Sequence, residues 1–597
     1  MLLSIFLHAN NIDYIQKAHD LNLSQKRYWH LLLHMKNGTS EIDDKKFFLS
    51  SDGKTNPNSE LDATVYALLH EKRFDDNATA CLFPARKTWL KKELNISIFP
   101  KVNCKSYAKI LKKLDPSSAT IVFPSAHINS PASMFGHTFL RINSHYKSKL
   151  LSYAINYAAS IDEEKTNGIS FAINGLVGGY QGQYSMLPYY EKLKEYRDSE
   201  QRDIWEYDLN LSKQEVLKMF QHIWELNGSY SDYYFFTENC SYNMLWLLEI
   251  ANPNIHLRNY FTYHVSPLET IHAMKDEGII MKESFRDSKR STLLKYETII
   301  KPSYIKLTKN LLINTVSLDK LMRDKNIEIQ QKRYILEAAI ELLEYKYMQG
   351  DFTKNKYLDI FHKLTTVRAS LGMGESLSCT IPASPLTAHR QARLSVGVQK
   401  FDDKKSLLLG IRPVYNHLED SNNGLLRGTQ IEFLSLLMKI DNNDIKLEEL
   451  TVLSIASIVQ ISPFFQNFSW RMNLGWDKKY IDNDINLNLS VGGGASLGNS
   501  YGYGYVMTDL LTYVDDEFSV GIGTSVGLVI DKNPYFKSNI ELTKRWYYNG
   551  DEQLLIDIVQ SYKISQNTQL KFKYEHKKSN LDINSEDTYS LFFNYYF

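Results

Sequence analysis

The sequence predicts a multidomain protein: an α+β module between two helical segments, followed by an antiparallel transmembrane β-barrel of about twelve strands. Three observations carry this. The chain has 597 residues, too many for one core, and that length suggests roughly three or four domains. A cysteine in "YYFFTENCSYNMLWLLE" (233–249) stands where an aromatic run ends and a helical pattern begins. From about residue 390 the apolar residues recur with a period of two, between turn-rich clusters.

Composition narrows the partners. Net charge is +1, so no global basic field argues for nucleic acid. Aromatics make up 13% of the chain, with 39 Tyr, which suits β structure and membrane-interface belts. No apolar run approaches the roughly 18 residues of a spanning helix. The nearest, "TVLSIASIVQIS" (451–462), is broken by Ser and Gln. The opening "MLLSIFLHANN" resembles the tail of a signal peptide, with a short apolar core but no basic n-region, so residues 1–9 read as a signal remnant. The alternative is a short core segment.

Residues 1–115 read as a mostly helical domain. "LSQKRYWHLLLHM" places Trp29, Leu32 and Leu33 on one side, and "ELDATVYALLHE" resumes the helical period after a turn-rich loop. His30 and His34 stand at i,i+4, but no acidic third ligand is near, so a surface or packing role is expected and no metal site. Cys81 and Cys104 lie in this part. In an exported chain they are candidates to pair, which would leave Cys240 free; four unrelated buried thiols is the other reading.

Residues 116–275 form the α+β module. "ATIVFPSA", "HTFLRINS", "SKLLSYAINYAA" and "DIWEYDLNL" read as strands. Ser212 and Glu215 make a capping box ahead of "EVLKMFQHIWEL". Asn239 is a suitable N-cap for the helix that begins at Cys240, with Met244, Leu247 and Leu248 as its apolar stripe. Residues 276–385 read as helical again, ending in the linker "GMGESLSCTIPASPLTAHR". Residues 386–597 read as the barrel: about twelve strands of roughly ten residues, the length a tilted strand needs to cross a bilayer. The chain ends "YSLFFNYYF", with Tyr589, Leu591, Phe593, Tyr595 and Phe597 on one face, which resembles the terminal signal read by barrel-assembly machinery. A soluble barrel or sandwich also alternates, but the alternation over so many strands favours the membrane.

A thiol at a helix start sits where the helix dipole favours the thiolate, the reactive form. A nucleophilic Cys also needs a base within hydrogen-bond reach. "FPSAHINSPASMFGHTFLRIN" (123–143) offers His137, which follows Gly136 and opens a strand, with His127 as the rival. The bland reading of Cys240 is a buried structural thiol. The order His-on-strand then Cys-on-helix is the reverse of papain and resembles circularly permuted papain-like folds of the NlpC type, such as the lecithin:retinol acyltransferase group.

"FPSAHINSPASMFGHTFLRI", "INGLVGGYQGQY", "EYRDSEQRDIWEYDLNLSKQE" and "FFTENCSYNMLWLLE", over roughly residues 115–260, together resemble the Lnb N-terminal periplasmic domain family, named after a lipoprotein N-acyltransferase. "CLFPARKTWL" and "RPVYNHLEDSNNGLLRG" resemble domains that flank this module in Gram-negative proteins. The resemblance implies a Cys–His acyl-transfer site, which carries over to Cys240 and His137 only. No third group is fixed by it; Asn156 on the following strand is the candidate.

Two readings of function are open. In one, an outer-membrane-anchored periplasmic acyltransferase or hydrolase uses Cys240 as nucleophile and His137 as proton shuttle, without cofactor, on phospholipid or lipoprotein acyl groups; an amidase of cell-wall peptide would use the same dyad. In the other, the barrel transports or scaffolds and the periplasmic module is a degenerate plug or docking domain.

Overall fold

A computed structural model describes residues 14–96, 99–125, 136–146, 148–160, 174–313, 316–375, 377, 381–401, 404–441, 444–478, 485–514, 518–580 and 585–597. These fall into two compact units, one running to Arg286 and one from Asp287 onward.

The first unit opens with helices α1 (Arg27–Leu32), α2 (Pro57–Leu69), α3 (Pro84–Glu93) and α4 (Lys105–Leu114). Asn56 caps α2 by accepting from the Ser59 N–H, and Pro57 fills the first helical position, where a missing N–H costs nothing. Cys81 and Cys104 are joined in a disulfide, with Cα atoms 5.2 Å apart. Arg86 on α3 and Glu60 on α2 form a fully buried ion pair at 2.6 Å.

A seven-stranded antiparallel sheet follows: β1 (Pro116–Pro124), β2 (Phe139–Ser144), β3 (Tyr153–Ser160), β4 (Tyr180–Pro188), β5 (Ile204–Leu209), β6 (Tyr230–Tyr233) and β7 (Ile280–Arg286), in the order β6-β4-β3-β2-β1-β5-β7. The near-continuous apolar run Ala119–Phe123 suits β1's inner place, because it is covered on both faces. Helices α5 (Lys213–Glu225), α6 (Cys240–Ala251) and α7 (Pro267–Asp276) belong to the same unit. Ser212 and Glu215 make the capping box of α5. Every residue of α6 is buried, the polar Ser241, Asn243 and Glu249 among them, so it is a core helix.

The sheet runs past the boundary expected at residue 275. Arg286 of β7 bonds Glu206 of β5 at 2.7 Å, and Arg141 of β2 bonds the same carboxylate at 2.8 Å. Burial would raise the Glu206 pKa, but Arg141, the Tyr189 hydroxyl and Arg286 outweigh it and hold the group down at about 2. "IMKESFR" alternates too weakly to stand out as a strand, and its place is fixed by that long-range ion pair.

The second unit begins with helices α8 (Lys289–Ile299), α9 (Pro302–Asn310), α10 (Val316–Arg323), α11 (Ile329–Met348) and α12 (Lys354–Ser370). They pack around Leu293, Ile335, Leu336, Ala339, Leu342 and Leu343. Twelve strands then close a barrel: β8 (Arg393–Phe401), β9 (Lys404–Arg412), β10 (Thr429–Asp441), β11 (Asp444–Ser457), β12 (Ser469–Asp477), β13 (Asn486–Gly498), β14 (Gly502–Val514), β15 (Phe518–Ile530), β16 (Phe536–Tyr547), β17 (Glu552–Ser565), β18 (Thr568–Ser579) and β19 (Ser585–Tyr596). Neighbours pair antiparallel. The ring closes through β8 on β19 (Arg393 opposite Tyr596) and β9 on β10 (Leu409 opposite Met438). Phe465, in the β11–β12 connection, packs into the helical core.

On β19 the apolar side chains face out: Leu591, Phe593 and Tyr595 are 43%, 47% and 48% exposed, while Ser590, Asn594 and Tyr596 are buried inside. Leu394, Val396 and Val398 on β8 and Ile540, Leu542 and Trp546 on β16 repeat the pattern. A closed ring of this kind leaves no edge strand, and an apolar outside with a polar inside is the outer-membrane type. No described helix is long and apolar enough to cross a membrane.

Candidate active site

Cys240 is the first residue of α6, and the local sequence fixes it there. Asn239 Oδ1 accepts from the Ser241 and Tyr242 N–H groups at 3.1 and 3.2 Å, an N-cap of the kind worth about 1 kcal/mol. Its Nδ2 donates to the Phe235 and Val265 carbonyls at 2.9 and 2.7 Å, tying the helix start to the loops on either side. A chain of bonds extends outward: Asn243 Nδ2 donates to the Asn239 carbonyl, and Tyr184 Oη donates to the Asn243 carbonyl at 2.9 Å.

His137 reaches the thiol from the turn two residues ahead of β2. Gly136 precedes it at φ +82°, in the left-handed region, and a Cβ there would lie 3.0 Å from the Phe123 ring. Only glycine turns the chain that tightly. His137 Nε2 lies 2.7 Å from Asn156 Oδ1 on β3, so Nε2 carries the hydrogen and Nδ1 is left for the thiol. Tyr196 stacks on the imidazole with ring centres 5.5 Å apart, and Arg202 sits 5.5 Å over the Tyr196 ring.

The charge states follow. Burial alone would raise the Cys240 thiol. The His137 charge and hydrogen bond, the Thr138 backbone and the Tyr233 hydroxyl pull it down, and the net shift is downward. Burial alone would lower His137. The Cys240 charge and hydrogen bond and the bond to Asn156 lift it, and the net shift is upward. The pair therefore favours thiolate and imidazolium together. Tyr233 stays protonated: burial first, then the Cys240 charge, push its pKa well up. Its Oη accepts the Cys240 N–H at 3.2 Å and also bonds the Cys240 side chain.

The N-terminal helical part buttresses α6 from behind. Glu41 accepts from Trp246 Nε1 at 2.8 Å and from Tyr242 Oη at 3.1 Å, and Lys36 pairs with Glu41 at 2.8 Å. His34 stacks on Trp246 and lies 3.0 Å from His222, which bonds Glu225. His30 Nε2 lies 2.8 Å from the Ser24 carbonyl instead. Glu238, two residues before the thiol, is pushed up to about 7 by burial and by the nearby Glu41, against the pull of Lys36.

Of the residues expected from sequence, Cys240, His137, Asn156 and Asn239 come together. His127 lies outside the described residues, as does Cys379. Tyr233, Thr138 and Tyr196 were not singled out; Tyr233 lies inside the aromatic run "YYFF", where nothing marks one ring from its neighbours. Among the described residues, no group of three or more His, Cys, Asp or Glu is placed to hold a metal ion.

Comparison with known proteins bears on the same stretch. Residues 106–277 match the Lnb N-terminal periplasmic domain family. Residues 382–596 match a domain of unknown function, DUF7840, and residues 21–93 another, DUF7843. No curated protein matches the chain. Among solved structures, the KdgM porin is similar at 13% identity over 34% of this chain and 99% of its own, with a TM-score of 0.23. The COG4313 outer membrane channel from Pseudomonas putida F1 is similar at 12% identity over 38% of this chain and 100% of its own, with a TM-score of 0.25. These two likenesses carry no argument about function. The closed barrel with its apolar outside, and the match of the module before it to a periplasmic domain family, put the barrel in the outer membrane and the module in the periplasm.

Proposed function

We propose that this protein is an outer-membrane-anchored periplasmic thiol acyltransferase or hydrolase, acting on lipid or lipoprotein acyl groups through Cys240 and His137. The observation that carries the reading is the oriented pair itself: a thiol at a helix start, lowered by an imidazole that Asn156 holds through its far nitrogen. In this reading the module has a permuted papain-like arrangement of the NlpC type, with the base just ahead of a strand that precedes the nucleophile's helix.

The chemistry follows from the placement. The Cys240 thiolate adds to an acyl carbonyl carbon, and the carbonyl electron pair moves to oxygen. The Tyr233 hydroxyl, which accepts the first N–H of the helix and bonds the thiol, supplies the donor for that oxygen in this reading. Collapse expels the leaving group, which takes the imidazolium proton from His137 and leaves a thioester on Cys240. An amine or water then attacks the thioester and gives its proton to His137, and the thiolate leaves. Anchoring beside the inner leaflet supports lipid and lipoprotein acyl chains over soluble substrates.

The test is peptide mass spectrometry after the purified protein is incubated with membrane lipid extract or with cell-wall peptide. A fatty-acyl adduct on the Cys240 peptide is expected from lipid. A peptidyl adduct from the wall material would move the substrate to cell-wall peptide. No adduct from either, with Cys240→Ser fully functional in cells, would leave the barrel as a scaffold.

A further inference from the structure

We infer that the barrel is sealed: the segment 413–428 folds into the lumen as a plug, at the end where the chain enters and leaves the membrane. The reading above uses the barrel only as an anchor and does not depend on this.

Eight-stranded barrels are narrow enough for wall side chains to fill; a twelve-stranded one is wider and needs something more to close it. The connection between β9 and β10 supplies it. Val414–Asn416 pairs briefly on β10, and the chain then crosses the lumen. Part of its contacts lie on the far wall. In the closed strand order β16 is five steps from β9 and six from β10, directly opposite. Lys537 of β16 donates to the Asp420 carbonyl at 3.0 Å and to Asn422 Oδ1 at 2.6 Å, and Asn539 donates to the Leu418 carbonyl at 3.2 Å.

The plug's charges are matched by the wall. Asp420 is buried; it accepts from Arg412 at 2.7 Å, from the His417 N–H at 2.8 Å and from Tyr596 Oη of β19 at 2.7 Å. Glu419 pairs with Lys571 of β18 at 2.8 Å. Arg427 bonds Asp531, in the β15–β16 connection, at 2.7 Å. A mobile loop would not bury and pair its ions this way, because any excursion strips a buried charge of its partner.

A second layer lies deeper. Arg471 of β12 bonds Asp509 of β14 at 2.6 Å and reaches Glu541 of β16 at 3.0 Å, spanning part of the lumen. Between the layers is a polar cavity of about 380 Å³, lined by Glu419 of the plug and by Arg471 and Glu541. An ion crossing the barrel has to displace the plug and then part these pairs. The barrel is therefore an anchor and not a passive pore.

Full-length protein reconstituted in planar bilayers in KCl tests this. Wild type is expected to give no steady current; replacing residues 417–426 with a short Gly-Ser link is expected to open one. A steady current from wild type overturns the proposal. So does silence from the replaced variant while its electrophoretic heat-modifiability shows a folded barrel. If that variant does not fold, the Asp420→Ala/Arg427→Ala protein decides, since it keeps the whole chain. Intermittent openings support the plug, and silence overturns it.

Discussion

Asn156 Oδ1 on β3 and His137 Nε2, two residues ahead of β2, lie 2.7 Å apart, and this one bond decides which imidazole nitrogen meets the thiol. Asn156→Ala should leave the fold intact, since β3 is held by its ladder on β2 and β4. It should lower kcat for acyl turnover by about tenfold to a hundredfold, part of what a positioned acid–base group supplies, with KM little changed. A rise in KM at constant kcat would assign Asn156 to substrate binding instead.

Tyr233 touches the thiol from the edge strand β6, and its phenol stays protonated. Tyr233→Phe removes one hydroxyl and little volume. If that hydroxyl meets the oxyanion, kcat should fall by about 10²–10³, the usual cost of one such donor. The same change should raise the pH at which Cys240 is alkylated, but by less than loss of His137 does, because the tyrosine is the weaker of the two influences. Loss of activity without that rise would mean a purely structural role.

The barrel was legible because alternation is local: Tyr589, Leu591, Phe593 and Tyr595 announce an outward face within nine residues. The helix start was legible from Asn239 and Cys240 for the same reason. What the sequence hides is partnership at a distance. Asn156 was only a candidate until β3 was seen beside β2. Tyr233 sits in an aromatic run and gains its role by pairing β6 on β4 at the thiol's side. Nothing local in "RPVYNHLEDSNNGLLRG" marks the segment 413–428 as lumenal, because its partners Lys537, Lys571 and Tyr596 lie more than 100 residues away. The strand Ile280–Arg286 was missed because its anchor, Glu206, is contributed by another strand.

The disulfide between Cys81 and Cys104 closes a loop over a sequence separation of 23. A loop of that size is worth roughly 3 kcal/mol in the chain-entropy account. Reduction should therefore speed proteolysis of the N-terminal helices well before the barrel loses its heat-modifiability. Non-reducing peptide maps of periplasm-derived protein should show the two linked, and two free thiols would contradict the bond.

The last residues close the ring. Asn594 donates to Gln569, Tyr596 to Asp420, and the Phe597 N–H to the Ala392 carbonyl. Deleting residues 594–597 should impair barrel assembly, seen as loss of the heat-modifiable band, and leave the periplasmic module protease-resistant. Normal assembly of the truncated chain would mean that these closing contacts are dispensable.

The central claim is that His137 holds Cys240 as a thiolate, and the pH profile of Cys240 alkylation by iodoacetamide, read by mass spectrometry, tests it most directly. The thiol's pKa is lowered, so in the wild type reactivity should persist on acidification to below the ordinary thiol value of about 8.5. In His137→Ala burial, the largest influence, remains and only the smaller pulls of Thr138 and Tyr233 oppose it, so the midpoint should move above that ordinary value. Coincident profiles for the two proteins, both at or above the ordinary thiol range, would contradict the dyad.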